Sequence, residues 1–314
     1  MADLSTNISG VGLKNCIMNV GGVRTANYEE LANIATSTSG GIVTSTMTPE
    51  PRSEAPEPNY YRFDLGSLAS RTLPNPGYRK YMQNLSELKI FGKPVIASVA
   101  GADVKEFAEV AAYAAENGAD LIELNTLCNG RSDGRLIGYN IRYDLPMMEL
   151  LVANARRATK KPMGIKIPIC SDEKNLERFA DLVIKEGLQF ITCDAPANIA
   201  MLVDIEKEQP VLSGNGLGNL AGPAMKPHTL ASVRILHLYL KGRAAVIGHG
   251  GVMSGADAFQ YLLAGANAVQ IGTALRDEGV SAFSRISDEL RGIMLSKGYK
   301  SVGEVVGKMK LLKS

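Results

Sequence analysis

The chain has 314 residues, of which 45% are hydrophobic and 21% charged, with a formal net charge of +2. That balance is globular rather than disordered, and it gives no electrostatic footprint for nucleic acid or a membrane surface. There is no Trp, and aromatic residues make up only 6%, so base-stacking platforms are not indicated either. The first fifteen residues lack a basic segment followed by an apolar run, which argues against a signal peptide. No stretch approaches the roughly 18 uninterrupted apolar residues of a spanning helix. Cys16, Cys128, Cys170 and Cys193 are scattered without a CxxC pair. They read as reduced thiols of a cytoplasmic protein, not as a disulfide framework or a structural metal site.

Apolar, β-branched runs predict strands at about Ile17–Gly21, Gly41–Thr46, Pro94–Val99, Asp120–Asn125, Met163–Pro168, Gln189–Cys193, Ala245–Gly248 and Ala268–Gly272. Most are unbroken, as in parallel strands buried on both faces. Helical patterns fill the gaps. Asp103 with Glu106 is a capping-box signature before an Ala-rich run that Asn117-Gly118 stops. Asp172 to Ile184 is amphipathic and ends at Gly187, while Ser254 caps a run that Gly265 ends. Alternating strands and helices make a (β/α)₈ barrel the simplest topology, with residues 1–314 as one domain. An open doubly wound sheet is the alternative, but no GxGxxG follows the first strand. Thr48 to Tyr78, rich in Pro, Gly and Asn, is long for a strand-to-helix loop. It is expected over the C-terminal mouth as a lid or interface element, or else as an exposed hinge.

The most informative segment is C-terminal. Ile247–Val252 (IGHGGV) and Val269–Ala274 (VQIGTA) are consecutive strands that each end in a glycine-containing turn. In a barrel the loops after strands seven and eight lie side by side, and glycine lets bare N–H groups approach an anion. Gly250, Gly251, Gly272 and Thr273 are therefore candidates for holding a phosphate. The alternative is that these glycines merely serve tight turns.

Residues 248–275 resemble the FMN-phosphate segment of the dihydroorotate dehydrogenases. Leu220–Pro227, with Gly222, is similar to the glycine-bearing segment after strand six. Met18–Gly22 resembles the first-strand motif that lies against the flavin, bringing in Val20 and Gly21. Pro56–Pro58, Leu65–Ser67 and Leu73–Gly77 match the long loop of the soluble class 1A branch. Glu123–Asn125 with Cys128 matches the strand-four motif, and Gly164–Lys166 matches strand five. The likeness runs in order from about residue 11 to about 305. It implies an FMN enzyme of pyrimidine biosynthesis, oxidising dihydroorotate to orotate. It also implies a homodimer using fumarate, rather than the 1B type with its iron–sulfur partner subunit.

The resemblance gives Cys128 the role of base at dihydroorotate C5, while a hydride passes to flavin N5. A thiolate can do this if its pKa is lowered or the substrate is well held. On the residues alone, a small buried thiol is the commoner reading. Lys166 at the end of strand five would place a cation at the flavin N1/O2 edge; the alternative is a surface lysine. Asn125 would bond flavin or substrate, since a polar residue ending an apolar strand calls for a partner. A metal site joining Cys128, Cys170, Cys193 and His249 has no ligand pair at zinc-like spacing, and no metal is expected. His249 reads as spacing in the phosphate turn.

The substrate loops depart from the family pattern. The Lys–Ser pair ending strand two is Ser45-Thr46 here, still placed against the cofactor. The Asn-Ser-x-Gly-Leu-Pro-Asn loop is Ala69–Asn75, which keeps Ser70, Leu73 and Asn75 as substrate candidates but loses an Asn and a Gly. The Ser, Pro and second Asn after Asn125 are absent, and Asp194 stands where the family has Asn after strand six. Losing polar partners costs more recognition than trimming apolar contact. New groups appear instead: Arg71 in the loop, suited to a carboxylate, Asp194, and Arg131 and Arg135 after Cys128. Three readings follow. They are dihydroorotate oxidation, an FMN oxidoreductase acting on another small anionic substrate, and a non-catalytic flavin-binding protein. Retention of Cys128 and Lys166 argues against the last.

Overall fold

The computed structural model describes residues 1–127, 141–170, 172–195 and 200–312. Its centre is a parallel sheet of eight strands: β1 Ile17–Asn19, β2 Ile42–Val43, β3 Val95–Val99, β4 Leu121–Asn125, β5 Met163–Pro168, β6 Phe190–Ala195, β7 Ala245–His249 and β8 Ala268–Ile271. Their order is β1-β8-β7-β6-β5-β4-β3-β2, as in a (β/α)₈ barrel. The predicted strands all exist, within a few residues at their ends. β2 is the most shortened, because its backbone pairs in a regular ladder only with β3.

That shortening exposes how the barrel closes. Between β1 and β2 the ladder is replaced by one side chain. Asn19 Nδ2 donates to Val43 O at 2.7 Å, and Val43 N donates to Asn19 Oδ1 at 2.9 Å. Lower down, Gly40 N donates to Ile17 O at 2.9 Å. The carboxamide thus presents the same donor and acceptor as a strand peptide, in a fully buried setting. Asn19→Ala leaves both Val43 groups without partners, at about 1–3 kcal/mol for each buried orphan. The urea midpoint is expected to fall correspondingly with an unchanged m-value; an unmoved midpoint would contradict this account of closure.

Helices α1 Tyr28–Thr36, α2 Tyr78–Met82, α3 Val104–Glu116, α4 Leu145–Ala158, α5 Glu173–Lys185, α6 Lys226–Leu240, α7 Gly255–Ala264, α8 Thr273–Glu278, α9 Ser281–Ser296 and α10 Val302–Val305 surround the strands. Their starts follow the capping chemistry read from the sequence. Asp103 accepts from the amides of Lys105 and Glu106, and Asp172 from Asn175. Ser254 and Asp257 form a complete capping box. The main core lies between helices and barrel. A second core fills the barrel's lower interior. There an N-terminal hairpin, Thr6–Ile8 with Val11–Leu13, packs Ile8 and Leu13 under Met18, Ile96, Leu121, Phe190 and Ile247. Among the described residues, no helix is long and apolar enough to cross a membrane.

The long segment after β2 is built rather than bare. Tyr60–Phe63 and Gly66–Ala69 form a hairpin, and Asn219–Ala221 adds a third antiparallel strand from the segment after β6. Parts of this sheet and of the following loop line the C-terminal mouth.

Candidate active site

A cavity of about 280 Å³ opens at the C-terminal ends of the strands. One side is glycine backbone. Gly222, Gly250 and Gly251 adopt φ of +94°, +112° and +69°. A Cβ on Gly251 would stand 2.9 Å from Gly222 O and 3.0 Å from the Lys226 Cβ. One on Gly272 would stand 2.8 Å from the Val20 side chain, so only glycine lets the first and eighth strand ends meet there. Thr273 lines the same end, as do Val20 and Gly21.

The floor is polar and incompletely bonded. Lys166 and His249 are each 6% exposed and Gln270 1%. Both amide atoms of Gln270, Nε2 of His249 and Oδ1 of Asn219 are buried without hydrogen-bond partners. Burial, with the Lys166 charge beside it, pushes His249 well below the usual imidazole range and keeps the ring neutral. Native interiors rarely leave such groups orphaned, so the set is shaped for a polar ligand. His249, expected only to space the turn, is thus part of the floor. Asn125 also lines the cavity. Its Nδ2 donates to Thr46 Oγ1 at 2.7 Å, and its Oδ1 accepts from Leu127 N at 3.0 Å.

Ser70, Arg71 and Leu73 wall the opposite side. Arg71 pairs with Glu54 at 2.5 Å and donates to Gly22 O at 3.3 Å. Its neighbours Thr72 and Leu73 have φ of +64° and +61°. This left-handed conformation costs an L-residue about 1–2 kcal/mol. It falls where the loop pattern loses its glycine. Thr72 is tethered there: its hydroxyl donates to Ser53 O at 3.0 Å, and its carbonyl accepts from Arg52 Nε at 3.1 Å.

Not every expected residue faces this cavity. Ser45 and Thr46 line a smaller one of about 60 Å³ that shares Gly22, Arg71, Leu73 and Pro74 with it. The Ser45 hydroxyl is bonded to Thr25, at 2.8 Å to its hydroxyl and 2.9 Å to its carbonyl. Asn75 is buried beneath the loop, with its amide taken up by Thr48, the Leu73 carbonyl and the Gly77 amide. Cys128, Arg131 and Arg135 and the side chain of Asp194 lie outside the described residues. Among the described residues, no three His, Cys, Asp or Glu side chains gather as a metal site.

Arg276 and Gln270 are among the lining residues that escaped the sequence reading. The Arg276 guanidinium of α8 stands over the Tyr60 ring, 3.4 Å from its centroid, joining the loop hairpin to the helix after β8. Its position three residues past Thr273, beside the glycine turns, was the available signal. Gln270 was hidden in an apolar strand, where only its inward register gives it meaning. Among the described residues, the ionisable groups lining the cavity, apart from Tyr60, are Arg71, Lys166, His249 and Arg276, with no carboxylate.

A family model described as dihydroorotate dehydrogenase matches residues 3–294. A putative dihydroorotate dehydrogenase A (fumarate) of Streptococcus agalactiae is 35% identical, over 99% of this chain and all of that one. A probable dihydroorotate dehydrogenase A (fumarate) of Streptococcus pneumoniae is 34% identical with the same coverage. In structure, the chain is similar to ligand-free DHODH from Eimeria tenella, with a TM-score of 0.80 and 17% identity over 98% of this chain and 92% of that one. The ferulenol complex of that protein gives 0.79 over 97% and 88%.

Proposed function

Since the chain belongs to the dihydroorotate dehydrogenase family, we propose that it is an FMN-dependent oxidoreductase converting dihydroorotate to orotate. The observation that carries this reading is the basic cavity whose buried floor is short of hydrogen-bond partners and whose side is bare glycine backbone. A dianionic phosphate suits the Gly222, Gly250, Gly251, Gly272 and Thr273 end, with Arg276 adding charge. A flat heterocycle with carbonyl and N–H edges suits Gln270, Asn125 and Lys166. FMN has both parts, and when bound it supplies a hydride acceptor.

The protein's own contributions are to hold, orient and move a proton. Val20 and Gly21 form a backbone wall against the cofactor. Lys166 keeps positive charge at the floor, where negative charge develops on reduction. Cys128 Sγ accepts the proton from dihydroorotate C5, and Asn125 orients the ring beside it. Arg71, with Ser70 and Leu73, holds the substrate carboxylate. Thr46 and Asn75 act from behind, fixing Asn125 and the loop, and Ser45 fixes the turn at Thr25, rather than touching the ligand. Asp194 belongs with the substrate group.

Arg71→Ala is expected to raise KM for dihydroorotate by about 10–150-fold, the loss of one charged hydrogen bond, with flavin content unchanged. An unchanged KM would remove Arg71 from the substrate site.

The relatives' names point to fumarate as acceptor, and the dimer expected for class 1A has support on the surface. Tyr61, Leu65, Met201, Val203 and Ile205 are 41–81% exposed on the loop hairpin and the neighbouring segment. These two segments are joined by Ser213 N to Pro58 O at 2.8 Å. Such a patch fits a second copy of the chain. A cytoplasmic homodimer is the form in which the enzyme acts. Steady-state oxidation of dihydroorotate with fumarate, followed as orotate formation, tests the reading; no orotate with a flavin-loaded protein would refute it.

A further inference from the structure

Glu123, on β4, is 1% exposed and sits inside the barrel below the cavity. Its Oε2 accepts from the Thr192 hydroxyl of β6 at 2.8 Å, while its Oε1 has no partner. β5 runs between these two strands. Glu123 is level with Gly164, and Thr192 is level with Lys166. The bridge therefore crosses the inner face of β5 in the space between Gly164 and Lys166. It can do so because residue 164 has no side chain: a Cβ there would already meet the Phe190 ring at 2.4 Å. Lys166 is the next residue of β5 on the same face, level with Asn125 and Thr192, and its ammonium has no hydrogen-bond or ion-pair partner among the described residues, with Glu123 beyond ion-pair distance.

We infer that Glu123 is a positioning residue, a buried counter-charge that keeps Lys166 protonated and aimed into the cavity. An uncompensated buried ammonium sheds its proton readily, and an uncompensated buried carboxylate takes one up. On adjoining rungs each offsets the other's desolvation. The other described groups that face Lys166 do not supply negative charge. Thr192 on β6, Asn125 on β4 and Gln270 on β8 are neutral, and His249 on β7 is held neutral. Arg71 and Arg276 at the rim are cations. The free Glu123 oxygen is thus the one anionic acceptor among the described residues around this lysine. The inference rests on the flavin reading, because it assigns what Lys166 acts upon.

The test is the midpoint potential of the bound flavin in the holoenzyme, measured between about pH 6 and 10. Comparison is made among the unchanged protein, Glu123→Gln, Thr192→Val and Lys166→Met. Deprotonation of Lys166 appears as an alkaline break in potential against pH. Glu123→Gln keeps the shape and the Thr192 bond but removes the charge, and is expected to move the break down by one pH unit or more, at least tenfold in the lysine's acid dissociation constant. Thr192→Val, which frees the carboxylate without discharging it, should move it the same way by less. Lys166→Met should abolish it. A break that stays in place in Glu123→Gln overturns the inference. So does a potential merely raised by the same amount at every pH, which is the loss of a distant negative field. If Glu123→Gln does not fold, an unmoved break in Thr192→Val overturns it. An unchanged protein that takes up no FMN defeats the flavin reading itself, a separate outcome.

Discussion

Cys128→Ala is expected to lower kcat for dihydroorotate by about 10²–10⁴-fold, the usual contribution of a positioned acid–base group. Flavin content and thermal stability should stay as they are. The cysteine follows Leu127, which lines the cavity, and Asn125, whose side chain is fixed by Thr46. Among the described lining residues no other side chain is suited to the proton. Lys166 and the arginines are cations, and burial leaves His249 at the floor as a neutral ring beside a positive charge. Because the thiolate is the active form, Cys128→Ser should lose nearly as much, its hydroxyl being far less acidic. A Cys128→Ala enzyme within a few-fold of the unchanged protein would assign the base elsewhere.

The second large effect is on cofactor retention. Gly251→Ala places a methyl group 2.9 Å from Gly222 O, on backbone whose φ of +69° disfavours any L-residue. The strain costs about 1–3 kcal/mol. Turning the amide away from an anion forfeits a charged hydrogen bond of about 1.5–3 kcal/mol. FMN affinity should therefore fall by about a hundredfold or more. Absorbance after dialysis and an FMN titration of the stripped protein would measure it. Gly307→Ala is the control: it has φ of +74° and lies in the C-terminal segment against His237, away from the cavity. It should lose stability without losing flavin. Equal flavin loss in both variants would mean that Gly251 acts through the fold alone.

The barrel was legible because its signals are local. Strand runs such as Met163–Pro168 are continuous and apolar, and the caps at Asp103, Asp172 and Ser254 are spelled by adjacent residues. The glycine end of the cavity was legible for the same reason, since its glycines fall in two consecutive strand ends. What the sequence hid is set by register and long-range contact. Asn19 reads as the middle of the strand expected at Ile17–Gly21, yet its carboxamide replaces a missing rung. Gln270 and Glu123 lie in apolar strands, and only the inward register of β8 and β4 turns them into the floor and its underlayer. Asn75 reads as a ligand donor because its motif does, whereas its amide is taken up by Thr48, Leu73 and Gly77. Arg276 gains meaning only when Tyr60, more than two hundred residues earlier, stacks under it.

The loop that departs from the family pattern also bears on substrate choice. Arg71 reaches the wall of the main cavity and the smaller one beside it. Ser45, standing where the pattern has a lysine, puts its hydroxyl beside those of Thr25 and Thr46 in that second space, which Arg24 and Glu30 also line. A cation lost from strand two is thus matched by one gained in the loop. That is how a site can keep a carboxylate-bearing substrate while its individual contacts change.

The most direct measurement is anaerobic mixing of the purified, flavin-loaded protein with dihydroorotate, following flavin absorbance through one turnover. Bleaching on a catalytic timescale, with one orotate formed per flavin, is the predicted result. A flavin that stays oxidised under excess dihydroorotate, yet is bleached by another small anionic donor, would contradict the assignment of substrate.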